Sequence, residues 1–333
     1  MSSASAPVLE VTDLAVEYAA DGPGVRAVDG VNLRVQPGEF VGVVGESGCG
    51  KSTMLFAIAQ LLSPPASITS GSVVFKGQNL VTMTEKQLNV RRWRDYSVVM
   101  QSAMNALSPV SNIGAQFKDA LEAHGKLGKR EITERSAEVL ALVGIDRIHL
   151  KSYPHQLSGG MRQRAMIAMA LLFTPELVIM DEPTSALDVV AQRSLMVQIR
   201  QLQHELGFAV LFVTHDMSLV SHFSDQLLVM YAGQVVEAGP TRTVFDSPAH
   251  PYSRGLLDAF PSIRGPRVRL TGIPGSPPDL GRPPAGCRFH ERCPVAFDQC
   301  STTEPDLYPV GDVVSRCLLH RPAQKPQPTE VTA

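Results

Sequence analysis

Between Val8 and about Phe260, short runs of β-branched and aliphatic residues alternate with longer stretches whose apolar positions recur at helical spacing. This alternation predicts βαβ units and an α/β fold. EFVGVVG (Glu39 to Gly45) reads as a buried strand and STMLFAIAQLL (Ser52 to Leu62) as the helix that follows. SVVMQ (Ser97 to Gln101), LVIMDEP (Leu177 to Pro183) and FAVLFVTH (Phe208 to His215) are further apolar runs ending in polar residues, so they read as strands with functional ends. Between Gln101 and Ser158 the spacing turns helical, with Ile132, Val139, Leu140 and Val143 on one face, which predicts a helical subdomain at about 102–157. The first forty residues and LLVMYAGQVVEAG (Leu227 to Gly239) read as antiparallel β pieces joined by Gly-containing turns.

Chemistry enters where the first strand meets its helix. Gly45-Glu46-Ser47-Gly48-Cys49-Gly50-Lys51-Ser52, followed by Thr53, fits the glycine-rich phosphate loop G-x4-G-K-[ST] in its required strand-to-helix setting. The glycines let the backbone approach a phosphate, the loop N–H groups and helix N-terminus bind the anion, and Lys51 reaches the β and γ phosphates. Ser52 is a magnesium ligand in this scheme, and Cys49 acts through its backbone, outside any metal site of its own. Alkylation of the Cys49 thiol is expected to block ATP binding, with ATP protecting it. The strand Leu177-Val-Ile-Met-Asp181-Glu182 ends in two carboxylates: Asp181 for magnesium, Glu182 to polarise an attacking water. Together these motifs describe a P-loop NTPase core.

Leu157-Ser158-Gly159-Gly160 opens another helix, MRQRAMIAMALL, and supplies a second phosphate-binding N-terminus. One nucleotide does not need two such termini from one chain. The pattern therefore predicts a head-to-tail dimer in which Ser158, Gly159 and Gly160 of one subunit close over ATP held by the other. With these motifs in order over about residues 8–260, the chain resembles the ATP-binding cassette family. The resemblance implies that Gln101 senses magnesium and water, and that His215 contacts the γ-phosphate. It further implies that Ser185-Ala-Leu-Asp188 forms the loop crossing the dimer interface, and that Tyr18 stacks on adenine. Trp93, in RRWRDY, reads as structural or surface. Met161 stands where many cassettes have glutamine, a feature of the peptide and nickel importer branch, which YPHQLSGGMRQR and MNALSPV (Met104 to Val110) also resemble.

Composition changes this picture at the C-terminal end. The chain has 333 residues and a formal charge of -2, which gives no field for nucleic acid or an anionic membrane surface. Its longest apolar run, Ala165 to Phe173, is far short of a membrane span. The N-terminus MSSASAPVLE lacks a secretory pattern, so the expected compartment is the cytoplasm. Thirteen of the 25 prolines and four of the five cysteines follow Phe260. Residues 261–320 therefore read as a small, irregular Pro/Cys-rich extension of loops and turns, and 321–333 as a disordered tail.

Clustered thiols in a reducing compartment suggest a metal rather than disulfides. Cys287, Cys293, Cys300 and Cys317 supply four thiolates, and their wide spacing suits a 4Fe-4S cluster, with zinc the alternative. His290 and His320 could each replace one ligand. A metal is expected to define the extension, since little apolar material is there to do so. Importer ATPases of the peptide branch carry such an extension, and HPYSRGLL (His250 to Leu257) resembles its start.

The resemblance implies an ATP-hydrolysing subunit, with ATP and Mg2+, that powers import of di- or oligopeptides. Its expected place is the cytoplasmic face of the membrane, against two permease subunits, beside a second ATPase that is a sibling or another copy, and served by an extracytoplasmic solute-binding protein. Import of nickel or another small solute is an alternative, as is a redox- or metal-sensing ATPase. A soluble cassette ATPase of DNA repair or translation is a further one. The absence of a long coiled coil and of a second cassette argues against that last reading.

Overall fold

The computed structural model describes residues 6–19, 24–101, 106–125, 127–185, 187–259 and 272–322. Strands β1 (Leu9–Tyr18), β2 (Val25–Val35), β3 (Phe40–Val44), β4 (Ala66–Phe75), β5 (Gln78–Asn79) and β6 (Tyr96–Val99) occupy the N-terminal third. They are followed by β7 (Leu177–Asp181), β8 (Ala209–Val213), β9 (Gln226–Tyr231), β10 (Gln234–Pro240), β11 (Tyr308–Val310) and β12 (Val313–Ser315). One sheet, ordered β2-β1-β4-β5, is antiparallel. The other, ordered β11-β12-β10-β9-β3-β8-β7-β6, is parallel from β9 through β6. Every residue of β3, β7 and β8 is buried, as expected of parallel strands covered on both faces.

The helix after β3 runs Lys51–Ile58, shorter than its apolar run suggests. Gln60 adopts φ 54° and its side-chain amide donates to the Ala57 carbonyl at 2.7 Å, a left-handed stop made without glycine. The helical insert contains helices Ile113–His124 and Lys129–Leu142, whose Ile113, Phe117, Leu121, Ile132, Val139 and Leu140 share one core. Residues 102–105, where this subdomain was expected to begin, lie outside the described residues, as do Met104 and Asn105 of MNALSPV. Leu227 to Gly239 is only half as expected. β10 does turn back antiparallel, but β9 joins the parallel sheet beside β3. Trp93 packs partly buried against the core, as a structural residue does.

The extension is more regular than its proline content implies. β12 pairs with β10, placing Ser315 opposite Glu237, so the β11–β12 hairpin lengthens the main sheet. Phe289 is 2% exposed and meets the rings of Tyr231 and Tyr252 edge-on, with centroids 5.2 and 5.3 Å away. Burying one such ring contributes about 2 kcal/mol. Sheet pairing and an aromatic anchor thus hold the extension against the main sheet. Residues 261–271 and 323–333 of the expected extension and tail lie outside the described residues.

His250 joins the two parts. It is 1% exposed, and its Nδ1 accepts from the Tyr252 amide at 3.0 Å at the start of helix Pro251–Asp258. Burial pushes its pKa down to about 3. The unfolded chain takes up this proton below about 6.5 and the native chain does not until far lower, so acid destabilises the fold between these values. From pH 7 to pH 5 the native chain is expected to lose about 2 kcal/mol more than a His250→Asn variant, which keeps the capping acceptor. Urea unfolding of both proteins at the two pH values checks this.

Candidate active site

The loop after β3 starts with Gly45 at φ 154°, where a Cβ would lie 2.2 Å from the Met230 carbonyl oxygen, and ends with Gly50 at φ 101°, where it would lie 2.1 Å from that of Ala27. Both positions require glycine. The Lys51 ammonium donates to the carbonyls of Gly45 (2.8 Å) and Glu46 (2.9 Å), which fixes it under the loop. Cys49 is 3% exposed, and burial pushes its thiol pKa up despite the neighbouring Lys51. Burial and a raised pKa both slow the alkylation of this thiol.

Ser52 donates its hydroxyl to Asp181 Oδ1 at 3.0 Å. Asp181 is 2% exposed; burial raises its pKa, the Ser52 hydrogen bond opposes this, and the charge on Glu182 adds to it. Two hard oxygens side by side fit a magnesium ion's preference. Glu182, just past β7, takes φ 44°, a left-handed conformation that is uncommon for a side-chain-bearing residue. Its amide donates to the Val213 carbonyl at 2.9 Å, which ties it to the end of β8. Gln101 Nε2 donates to Glu182 Oε2 at 2.8 Å, and His215 Nδ1 lies 3.2 Å from Oε1. Two residues, from just past the ends of β6 and β8, thus converge on the carboxylate that follows β7.

A cleft of about 370 Å3 collects Tyr18, Ser47, Gly48, Gly50, Lys51, Ser52, Thr53, Gln101 and Glu182 on its walls. The Tyr18 hydroxyl is hydrogen-bonded to Thr53 at 3.0 Å, so the ring stands at the end of the cleft with Val25 and Ala27. Ser158, Gly159, Gly160 and Asp188 do not line it. Ser158 accepts from the Met161 amide at 3.3 Å and Asp188 from that of Ala191 at 2.9 Å, each capping its own helix. Ala186, within the expected interface loop, lies outside the described residues.

Sequence reading missed a further wall residue, Leu280, which comes from the extension. It also missed two residues that hold Glu46, Tyr252 and Arg292. Tyr252 lies within HPYSRGLL, but nothing local shows that it or Arg292 touches the loop, which is more than 200 positions away.

The expected cysteine metal centre has no support in the structure. Cys287, Cys293, Cys300 and Cys317 are free thiols lining one small pocket of about 10 Å3, with His290 on its wall. Burial, with the nearby thiols adding to it, raises the Cys287 pKa to about 11. Among the described residues, no three His, Cys, Asp or Glu side chains are grouped to hold a metal ion. Cys–x5–Cys–x6–Cys counts ligands but does not fix how their sulfurs point. His320 is engaged elsewhere, with Nε2 2.9 Å from the Ala249 carbonyl. No helix among the described residues is long and apolar enough to cross a membrane.

Comparison with known proteins agrees with this geometry. Residues 28–185 match the family described as ABC transporter, and residues 236–300 match the oligopeptide/dipeptide transporter C-terminal region. The oligopeptide transport ATP-binding protein OppD of Bacillus subtilis is 40% identical, covering 97% of this chain and 92% of its own length. OppD of Salmonella typhimurium is 43% identical over 90% and 89%. Among solved structures, the dimeric ATP-binding cassette MJ0796 in a post-hydrolysis state, bound to ADP and Pi, superposes with a TM-score of 0.63. It is 28% identical and covers 70% of this chain and 99% of its own. The chain is therefore a member of the ABC transporter ATPases, and it carries the C-terminal region of their oligopeptide/dipeptide group.

Proposed function

We propose that the chain is the ATP-hydrolysing subunit that powers import of di- or oligopeptides through separate membrane permease subunits. The observation that carries this is the joining of a cassette cleft, with Gln101 and His215 converging on Glu182, to the oligopeptide/dipeptide C-terminal region. The Gly45–Ser52 loop and Lys51 bind the phosphates of ATP, and Tyr18 borders the base. Ser52, Asp181 and Gln101 would hold magnesium, which neutralises phosphate charge when bound. Glu182 accepts a proton from the attacking water and orients it in line with the γ-phosphate, while Gln101 and His215 fix its two oxygens. Stabilisation rests on positioning and charge, as phosphoryl transfer requires.

Ser158, Gly159, Gly160 and Asp188 act across a head-to-tail pair, since none of them lines their own chain's cleft and Ser158 and Asp188 each cap a helix away from it. The partner is a sibling ATPase or a second copy, and the pair sits on the cytoplasmic face of the membrane against two permeases fed by an extracytoplasmic solute-binding protein. Isolation of the tagged chain from membranes should bring integral permease subunits with it. Recovery with ribosomes or DNA, and without permeases, would contradict the reading.

A finer element concerns the four thiols. They come from separate segments to the wall of one pocket and offer a donor set for a 4Fe-4S cluster, with zinc the alternative. A cluster there would staple the extension and supply a redox-active centre. Anaerobically purified protein is expected to contain iron and inorganic sulfide; stoichiometric zinc or no metal would overturn the assignment.

A further inference from the structure

Glu46, the second residue of the phosphate loop, is held from outside the loop at two points. Its amide donates to the Tyr252 hydroxyl at 2.9 Å. Its carboxylate takes both arms of Arg292, Nη1 to Oε2 at 2.8 Å and Nη2 to Oε1 at 3.0 Å. Arg292 belongs to the C-terminal extension and is 8% exposed. Its Nε donates to the Pro274 carbonyl at 2.8 Å, and its guanidinium lies over the Tyr231 ring, 5.7 Å from the centroid. The fork is thus fixed from behind before it meets Glu46. On its inner side, the Glu46 carbonyl accepts from Lys51.

We propose that Arg292 is a positioning residue for the nucleotide site: acting through Glu46, it holds the phosphate loop in its anion-binding shape, so the C-terminal extension sets affinity for ATP. The loop needs such a hold. Gly45, Gly48 and Gly50 all adopt positive φ, and glycine-rich backbone gains the most freedom when released. A bidentate pair between a buried arginine and a carboxylate gives both energy and geometry to oppose that release. The pair does not touch the transferred phosphoryl group. It favours bound ATP and the transition state alike, and so acts on KM rather than kcat.

The inference rests on reading the cleft as an ATP site. Its test is steady-state hydrolysis and equilibrium binding of MgATP by the full chain carrying Arg292→Gln, Glu46→Gln, both together, or Arg292→Lys. Each single Gln variant is expected to raise KM about tenfold, in line with loss of one charged hydrogen-bonded pair, with kcat within about twofold. The double variant should be no worse than the singles, because one interaction is lost once, and Arg292→Lys should recover part of the affinity. A lower melting temperature with unchanged KM, or a double effect equal to the product of the singles, would overturn the proposal. Should Arg292→Gln fail to fold, Glu46→Gln, nearly isosteric, decides alone, and an unchanged KM refutes the coupling. Failure of the ATP reading looks different: the wild-type chain would not bind ATP and Lys51→Ala would change nothing.

Discussion

Glu182→Gln is expected to lower ATP turnover about a hundred- to ten-thousandfold, the range for loss of a positioned general base, while ATP still binds. Glutamine keeps the size of the side chain and an oxygen for the Gln101 amide, which now donates to Oε2 at 2.8 Å. It cannot take the proton of water. Removing the Glu182 charge also removes one of the influences that raise the Asp181 pKa, so the magnesium ligand is not weakened. ATP held without hydrolysis should keep the paired ATPases closed. Hydrolysis rates, nucleotide affinity and sedimentation of the ATP-bound species measure the three parts; ordinary turnover would remove Glu182 from its role.

Lys51→Ala is expected to act on the other side of the reaction, at binding. Lys51 is 7% exposed, and its ammonium is already held by the carbonyls of Gly45 and Glu46, so the charge is fixed in place before phosphate arrives. Loss of one or two charged hydrogen bonds to phosphate corresponds to about a ten- to hundredfold weaker affinity. A fluorescent ATP analogue titrated against both proteins gives the ratio. Because the carbonyls of Gly45 and Glu46 lose their donor, part of the effect is a looser loop, and Lys51→Arg should not restore it.

The two variants divide the site into what sequence discloses and what it hides. The loop from Gly45 to Ser52, the carboxylates Asp181 and Glu182, and the strand-end Gln101 are legible because each function depends on local order: a strand, a turn of small residues, a helix. His215 is legible for the same reason, at the end of β8. Cys49 shows the limit of that logic. Its place in the loop is plain, but its burial in the core comes from packing that spacing does not encode.

Distance in the chain explains the remaining gaps. Tyr252 and Arg292 hold Glu46 of the phosphate loop from more than 200 positions away, Leu280 lines the cleft from the extension, and no periodicity announces any of these contacts. The extension misled in a related way. Thirteen prolines indicated loops, yet Val313 to Ser315 needs only three residues to pair with β10, and Phe289 needs only one ring to anchor. The cysteines gave the number of ligands, and nothing in their spacing shows whether the thiols meet around one ion.

The central claim is that ATP hydrolysis at Glu182 drives peptide import. Its most direct measurement is uptake of a labelled oligopeptide into vesicles containing the chain with its permease subunits, with MgATP on the side of the chain. Accumulation should require ATP and disappear with Glu182→Gln. Uptake unchanged by that variant, or steady ATP turnover with no peptide accumulated, would contradict the account.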